Sequence, residues 1–274
     1  MMSNAGPPKF DNGTNRARHG IAVAASRALA RAASSVASNG FSALRHALPQ
    51  TCVLCAAASG DALLCAACEA QLPRSAAACP RCALPSAAAR VCGACLAKPP
   101  PWAAAYAAWI YAFPVDRLLQ ALKYGGRLAL AEPLAQALCA TLATRGSPLP
   151  DCLVAIPLAQ RRQQARGFNH AREIARRVAT QLRVPLAEGL LRTRDTPPQA
   201  ALRLAQRAAN LRGAFDAHGS FAGRSVAIVD DVMTSGATLA AAAQALRAAG
   251  ALRVEAWVVA RTLPPGPAPM PPRN

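Results

Sequence analysis

Two hydrophobic rhythms alternate along the chain from residue 116 onward. Asp116 to Lys123 (DRLLQALK) has a helical period, and Arg127 to Thr144 continues in kind. Asn169 to Leu182 and Gln199 to Leu211 read as helices, and Thr238 to Ala249 as another with Gly250 as its stop signal. Between them stand short, continuous apolar runs. These are Cys152 to Ile156 (CLVAI), ended by Pro157, Ser225 to Val229 (SVAIV), and Arg253 to Ala260 (RVEAWVVA). Unbroken apolar strands alternating with helices predict an α/β fold, a parallel sheet flanked by helices on both faces. Ligands of such sheets bind beyond the carboxyl ends of the strands.

Before residue 116 cysteine sets the pattern. Eight of the ten cysteines fall in C-x-x-C pairs: Cys52/Cys55, Cys65/Cys68, Cys79/Cys82 and Cys92/Cys95. The unit C-x2-C-x9-C-x2-C occurs twice, offset by 27 residues. Thiolates two residues apart grip a tetrahedral metal from a tight turn, and two such knuckles close a four-sulfur shell suited to structural zinc. The repeat assigns Cys52, Cys55, Cys65 and Cys68 to one zinc, and Cys79, Cys82, Cys92 and Cys95 to a second. A disulfide framework and an iron–sulfur or redox role are the competing readings; the first would need a signal peptide, and no convincing one is seen. The segment holds too few apolar residues to fold unaided, so metal binding would supply its stability, about 10–16 kcal/mol per site. Cys139 and Cys152 sit alone in apolar surroundings and read as small buried hydrophobes.

Composition changes this picture modestly. The 274 residues carry a formal charge of +18, with 28 Arg against 3 Lys. Such a surplus favours anionic partners, namely phosphorylated small molecules, nucleic acid or acidic lipid. Coding bias toward Arg, Ala and Pro explains it as well. Twelve aromatics leave the core to Leu, Val, Ile and Ala. No run of about 18 strongly apolar residues predicts a membrane span. Residues 1–50 form a basic extension resembling a transit peptide in composition, or a disordered tail, or an over-long gene start. The six prolines of residues 264–274 predict a disordered tail.

The chemistry lies after Val229. Asp230 and Asp231 are expected where the strand stops, and Thr234-Ser235-Gly236-Ala237-Thr238 opens the next helix. Hydroxyls, a glycine that bares backbone amides and a helix start together make an anion cradle. The two acids would face ribose hydroxyls or a magnesium ion. Neither a P-loop nor a dinucleotide fingerprint is present. A phosphate beside a ribose describes a 5-phosphoribosyl group, and the segment closely resembles the phosphoribosyl-diphosphate motif of type I phosphoribosyltransferases.

A second constellation narrows the resemblance. Residues 161–212 hold twelve Arg and three acids. The double cysteine module, then L-K-Y-G (122–125), R-G-F-N (166–169) and V-D-D-V-x-T-S-G-x-T resemble the ComF family of phosphoribosyltransferase-like proteins linked in many bacteria to DNA uptake. The likeness covers roughly residues 51–262. His170 stands where that family commonly has Gln, and Ala159-Gln160 where a His is common. These departures bear on acceptor recognition more than on phosphoribosyl binding.

The resemblance implies a type I phosphoribosyltransferase fold at residues 116–263, preceded by a double zinc ribbon at 51–98, with linker and domain entry at 99–115 and Pro99, Pro100 and Pro101 as the stiff linker. Asp230 and Asp231 would be catalytic, and Thr234 to Thr238 would hold the 5-phosphate. Pro157, Leu158, Arg161 and Arg162 match the diphosphate loop. Lys123, Tyr124, Arg166, Gly167, Phe168 and Asn169 would form a hood over the acceptor. Zinc and magnesium are the implied metals, with phosphoribosyl diphosphate and an unidentified base or other acceptor as ligands, in the cytoplasm. The rival expectation is a non-catalytic accessory protein that binds single-stranded DNA or DNA-uptake proteins through the ribbon and the Arg-rich segment. Trp102, Tyr106 and Trp109 would then be the nearest base-stacking cluster. A third is a nucleotide sensor without turnover.

Overall fold

The computed structural model describes residues 50–194 and 213–264. The extension read over residues 1–50, save Gln50, the helix expected at Gln199 to Leu211 and the Pro-rich tail after Pro264 lie outside the described residues. The chain divides into two compact units, residues 1–66 and 67–274.

In the first unit, β1 (Gln50–Thr51) pairs antiparallel with β2 (Ala58–Gly60). Between them the chain turns at Cys52: the Ala56 N–H donates to the Cys52 carbonyl at 2.8 Å, with Ala56 at a φ of 61°. Helix α1 (Ala66–Ala70) starts at the last residue of this unit and otherwise belongs to the second.

The second unit holds the second cysteine repeat and the α/β domain. The knuckle at Cys79–Cys82 is closed by the Ala83 N–H on the Cys79 carbonyl, 2.9 Å, and by the Cys79 N–H on the Leu84 carbonyl, 2.7 Å. Helix α2 (Gly93–Ala97) carries Cys95 into its buried side. The sheet has four parallel strands in the order β3 (Ala104–Ile110), β8 (Arg253–Arg261), β7 (Ser225–Met233), β4 (Cys152–Ala155). Helices α3 (Val115–Gly125) and α4 (Ala131–Leu142) follow β3. Helices α5 (Gln160–Arg166) and α6 (His170–Leu182) follow β4, and α7 (Ala237–Ala248) connects β7 to β8. A separate antiparallel pair, β5 (Leu190–Arg192) and β6 (Phe215–Ala217), packs on α7.

The central strands are mostly buried because helices cover both faces, which is why their sequences show no alternation. Glu255, 1% exposed, is the most deeply buried of their polar residues, ahead of Asp231 and Arg261. Its carboxylate accepts from Arg145 Nη2 on both oxygens at 2.9 Å, from Arg253 Nε at 3.0 Å and from Trp257 Nε1 at 2.9 Å.

One expectation is refined and two are corrected. The stretch read as linker and domain entry contains β3, an edge strand of the sheet. Its sequence AAYAAWI is dominated by Ala, which carries no strand signal, and burial against β8 decides it. β7 does not stop at Val229 but runs on through both aspartates to Met233, because β8 continues beside it as far as Arg261. Residues 160–166, matched to the diphosphate loop and the hood, form α5. QRRQQAR is built of good helix formers but has no apolar stripe, so periodicity gave no sign of it.

Candidate functional site

The site follows from unequal strand lengths. β4 ends at Ala155 opposite Val229, and the Ile156 N–H makes the last bond to β7, on the Val229 carbonyl at 3.0 Å. Beyond that point no strand among the described residues pairs with β7 on the β4 side, so Asp230 and Asp231 stand past the end of β4, at the carboxyl edge of the sheet. Successive strand residues face opposite sides of a sheet. Asp231 is accordingly buried, 4% exposed, and Asp230 half-buried.

Asp231 is held by two elements. The Lys123 ammonium at the end of α3 pairs with its Oδ2, and His170 Nε2 at the start of α6 lies 3.5 Å from its Oδ1. Arg166 Nη1 in turn meets His170 Nδ1 at 2.8 Å and its guanidinium lies over the Tyr124 ring, 5.0 Å from the centroid. Burial pushes the Asp231 carboxyl up, but Lys123 and His170 outweigh it and hold the group far below the ordinary carboxylate range. Asp230 goes the other way, raised well above its usual value by burial and by the charge on Asp231. For Lys123 the cost of burial is overcome by the two aspartates, so its ammonium is stabilised. The two acids are thus prepared differently, one fixed as an anion and one ready to gain from a cation or hydroxyl donors. His170, Asp230 and Asp231 each offer a ligand atom within 4.8 Å of the others, a set that fits a hard divalent cation such as magnesium through its carboxylate oxygens.

The sequence reading leaves His170, which meets Asp231, out of the site. The available sign was its place directly after R-G-F-N. That tetrad is itself structural in part. Gly167 ends α5 in the left-handed region at a φ of 78°, and Asn169 caps α6. The Asn169 carboxamide accepts from the Arg172 N–H at 3.2 Å and donates to the Ile156 carbonyl at 2.9 Å, so it ties helix to strand rather than reaching over the pocket. Lys123 and Tyr124 form the last turn of α3, which Gly126 terminates at a φ of 62°. Lys123, Tyr124, Arg162, Arg166 and Phe168 line one cleft of about 290 Å³, so most of the expected hood shares a wall. Arg161 and Arg162 stand on the first turn of α5. Pro157 lines a separate cleft of about 310 Å³ with Asn169 and Gly189, and Leu158 is half-buried between β4 and α5.

After Met233 the chain turns through exposed Thr234 and Ser235 into α7. Gly236, at a φ of 77°, occupies the helix N-cap without any side-chain capping bond. The first-turn amides behind it and the helix dipole suit an anion. Ser235 Oγ reaches the Ala237 N–H at 3.4 Å. Gly236 is required by two things visible here: its positive φ, and Trp102, whose Cη2 lies 3.0 Å from where a β-carbon would stand. The glycine had been expected to make room for phosphate; the indole is the nearer reason.

Each cysteine repeat gathers four sulfurs. Those of Cys52, Cys55, Cys65 and Cys68 lie within 4.8 Å of one another, as do those of Cys79, Cys82, Cys92 and Cys95. Zinc with four sulfurs at about 2.3 Å requires sulfur–sulfur edges of about 3.8 Å. Cys55 and Cys65 are 3.8 Å apart, and Cys82 and Cys92 3.7 Å. These separations are far from a disulfide's length of about 2.05 Å, and none of the ten cysteines is joined in one. Burial raises the Cys52 thiol, but N–H groups of Cys65, Cys55 and Leu54 bring it down to about 6; Cys79 reaches about 7 in the same way. Cys82 and Cys95 move the other way, pushed up by burial and, for Cys95, by the neighbouring Cys82 and Cys92 thiols. Cys152 is buried and Cys139 half-buried, and burial pushes both thiols up, that of Cys139 to about 11, as expected of inert thiols.

Known proteins carry the same pair of modules. Residues 43–96 match the double zinc ribbon domain, and residues 165–266 the phosphoribosyl transferase domain. DNA utilization protein YhgH of Escherichia coli K12 is 37% identical over 158 residues, 56% of this chain and 70% of that protein. Competence protein F of Haemophilus influenzae is 30% identical over 159 residues, 55% of this chain and 69% of that protein. Among solved structures, glutamine phosphoribosylpyrophosphate amidotransferase of Bacillus subtilis superposes at a TM-score of 0.35 with 21% identity, over 51% of this chain and 30% of that enzyme, too distant a likeness to bear on function. The fold is that of a type I phosphoribosyltransferase behind a double zinc ribbon with two four-cysteine sites. With both modules present and this much sequence shared with YhgH, the chain belongs to the ComF family.

Proposed function

We propose that this chain binds phosphoribosyl diphosphate with magnesium and transfers the phosphoribosyl group to an acceptor whose identity is open. One observation carries the reading: a single strand delivers two differently tuned acids beyond the end of β4 and leads, through an exposed Thr-Ser turn, into a helix whose N-cap is a glycine. The 5-phosphate would sit on the Thr234–Thr238 turn. Asp230 and Asp231 would accept hydrogen bonds from the ribose hydroxyls. An acceptor nitrogen would attack the anomeric carbon while the bond to diphosphate breaks, and the protein supplies position and charge without a covalent intermediate. Magnesium supplies charge neutralisation of the diphosphate, with Asp230 the carboxylate best placed to share it. Arg161 and Arg162 on α5, with Pro157 and Leu158 before them, would take the diphosphate side, and Lys123, Tyr124 and the α5–α6 turn the acceptor side.

Calorimetry with phosphoribosyl diphosphate and magnesium tests this, followed by a screen of bases for diphosphate release. Saturable binding that Asp230→Asn weakens at least about tenfold is expected, the loss of one or two charge-assisted hydrogen bonds. Absence of binding by the intact, zinc-loaded chain would end the reading.

A second reading, a DNA-linked accessory role, is favoured by the names of the relatives, a DNA utilization protein and a competence protein. The aromatic cluster once expected to stack bases does not support it: Trp102 and Trp109 are 5% and 2% exposed, and Tyr106 is half-buried with the Arg145 guanidinium 5.5 Å from its ring centroid. Any DNA contact would rest on arginines and fall steeply with salt. Among the described residues no helix is long and apolar enough to cross a membrane. Zinc held by reduced thiolates suits the cytoplasm, which this reading takes as its place of action.

A further inference from the structure

The second cysteine quartet and the phosphate turn are joined by two buried side chains. Arg261, at the end of β8 and 7% exposed, divides its guanidinium between them. Its Nε donates to the Cys82 carbonyl at 2.8 Å. Its Nη1 donates to the carbonyls of Met233 at 2.7 Å, of Thr234, and of Thr262 at 2.9 Å. Trp102 makes a parallel link. Its Nε1 donates to the Arg81 carbonyl at 2.6 Å, Arg81 Nη1 returns a bond to the Trp102 carbonyl at 3.2 Å, and the far edge of the indole abuts Gly236.

Arg81 and Cys82 belong to the knuckle that begins at Cys79. Backbone carbonyls of a knuckle have fixed positions only while the metal holds the turn, since so short a segment has no core of its own. Both links therefore begin on atoms whose place depends on zinc. Both end on the turn whose place decides anion binding: Arg261 on the carbonyls of Met233 and Thr234, Trp102 on the N-cap glycine of α7. A planar guanidinium with its donors in a rigid fork transmits such geometry in a way a single ammonium does not.

We propose that Arg261 and Trp102 are positioning residues that make the geometry of the Thr234–Thr238 turn depend on zinc at Cys79, Cys82, Cys92 and Cys95. The ribbon is then part of the apparatus of the pocket and not only an appended module. The link to ligand affinity rests on the phosphoribosyl reading above; the link to turn geometry does not.

The test uses the full chain and reads two amides by hydrogen exchange. The Ala240 N–H donates to the Gly236 carbonyl at 2.8 Å and the Thr262 N–H to the Met233 carbonyl at 3.1 Å, so together they report both ends of the turn. Wild type is compared with Arg261→Lys, with Cys92→Ser, which removes a ligand of the second site, with the two combined, and with Cys65→Ser as a control on the first site. Exchange of both amides at least about fivefold faster is expected in Arg261→Lys and in Cys92→Ser, the loss of a charge-assisted bond read as local opening. The double variant should be no faster than the faster single, and Cys65→Ser should match wild type. Exchange unchanged in Arg261→Lys, or single effects that multiply in the double, would overturn the coupling. If Cys92→Ser also loses protection at Val258 inside β8, general unfolding is under way. Arg261→Lys with its full zinc content then decides alone, on the same two amides. Titration with phosphoribosyl diphosphate separates this proposal from the functional one. Binding with uncoupled amides would sink only the coupling, and coupled amides without binding would sink only the phosphoribosyl reading.

Discussion

A single buried ion pair defines how the pocket is prepared. Lys123 and Asp231 come from α3 and β7 and meet with little solvent between them, their side chains 20% and 6% exposed. Removing one partner of a buried pair leaves an uncompensated charge, at a cost of about 3–5 kcal/mol. Lys123→Met should therefore lower stability by about 3 kcal/mol, read as a fall in the urea midpoint at neutral pH. The pH dependence has a definite sign. Asp231 is depressed in the folded chain, so its contribution is complete above the unfolded carboxyl pKa of about 3.9 and is lost as pH falls toward the folded value. Lys123 is raised, so the same pair persists below the unfolded lysine pKa of about 10.4 and fails only as pH climbs through the folded one. Urea midpoints across pH should show a plateau between these limits. In Lys123→Met the acid limb should flatten, since the cation that depresses Asp231 is gone. An acid limb as steep as in wild type would show that another group governs it. Arg172 and His218 pair with the exposed carboxylates of Glu188 and Asp216, and Arg176 with that of half-buried Glu173, as residues on a solvated face do.

The element that most constrains the pocket is the junction from β4 through α5 to α6. Its sequence announces a resemblance at R-G-F-N but hides a helix, because Gln and Arg show no period. Asn169 is the joint, serving as N-cap of α6 and as donor to the end of β4. Asn169→Ala removes the cap and leaves the Ile156 carbonyl without that donor, so a loss of about 1–2 kcal/mol is expected by urea titration. Ligand affinity should fall with it, as His170, the next residue, loses its fixed start. Asn169→Asp keeps the capping oxygen and loses the amide donor, so it should recover only part of the stability. Equal stability of wild type and Asn169→Ala would show that the junction is held elsewhere. The strands tell the opposite story. CLVAI, SVAIV and RVEAWVVA were legible because unbroken apolar runs have few uses other than a sheet covered on both faces. AAYAAWI was not, since alanine is at home in any element and only the partner strand decides.

For the molecule as a whole, zinc is the first quantity to measure. Two ions per purified chain are expected, and one after Cys65→Ser or Cys92→Ser, by metal analysis at neutral pH. A single ion in wild type would remove the assignment of one metal to each repeat. The sequence alone determined that assignment, because a spacing repeated at 27 residues leaves little freedom for which thiols meet, and the sulfur distances agree with it. It determined the parallel α/β class for a similar reason: covalent order and apolar runs are local properties. It also singled out the Asp-Asp and Thr-Ser-Gly segment, whose parts are contiguous. Other features were decided only in three dimensions. Strand β4 stops four residues short of the end of β7, which leaves both aspartates past the end of β4. Lys123 and His170 reach Asp231 from helices far apart in the chain. Trp102 and Arg261 join the Cys79–Cys82 knuckle to the Thr234–Thr238 turn. Such contacts depend on how long each strand runs and on where packing sets each helix, and no local pattern of residues encodes either.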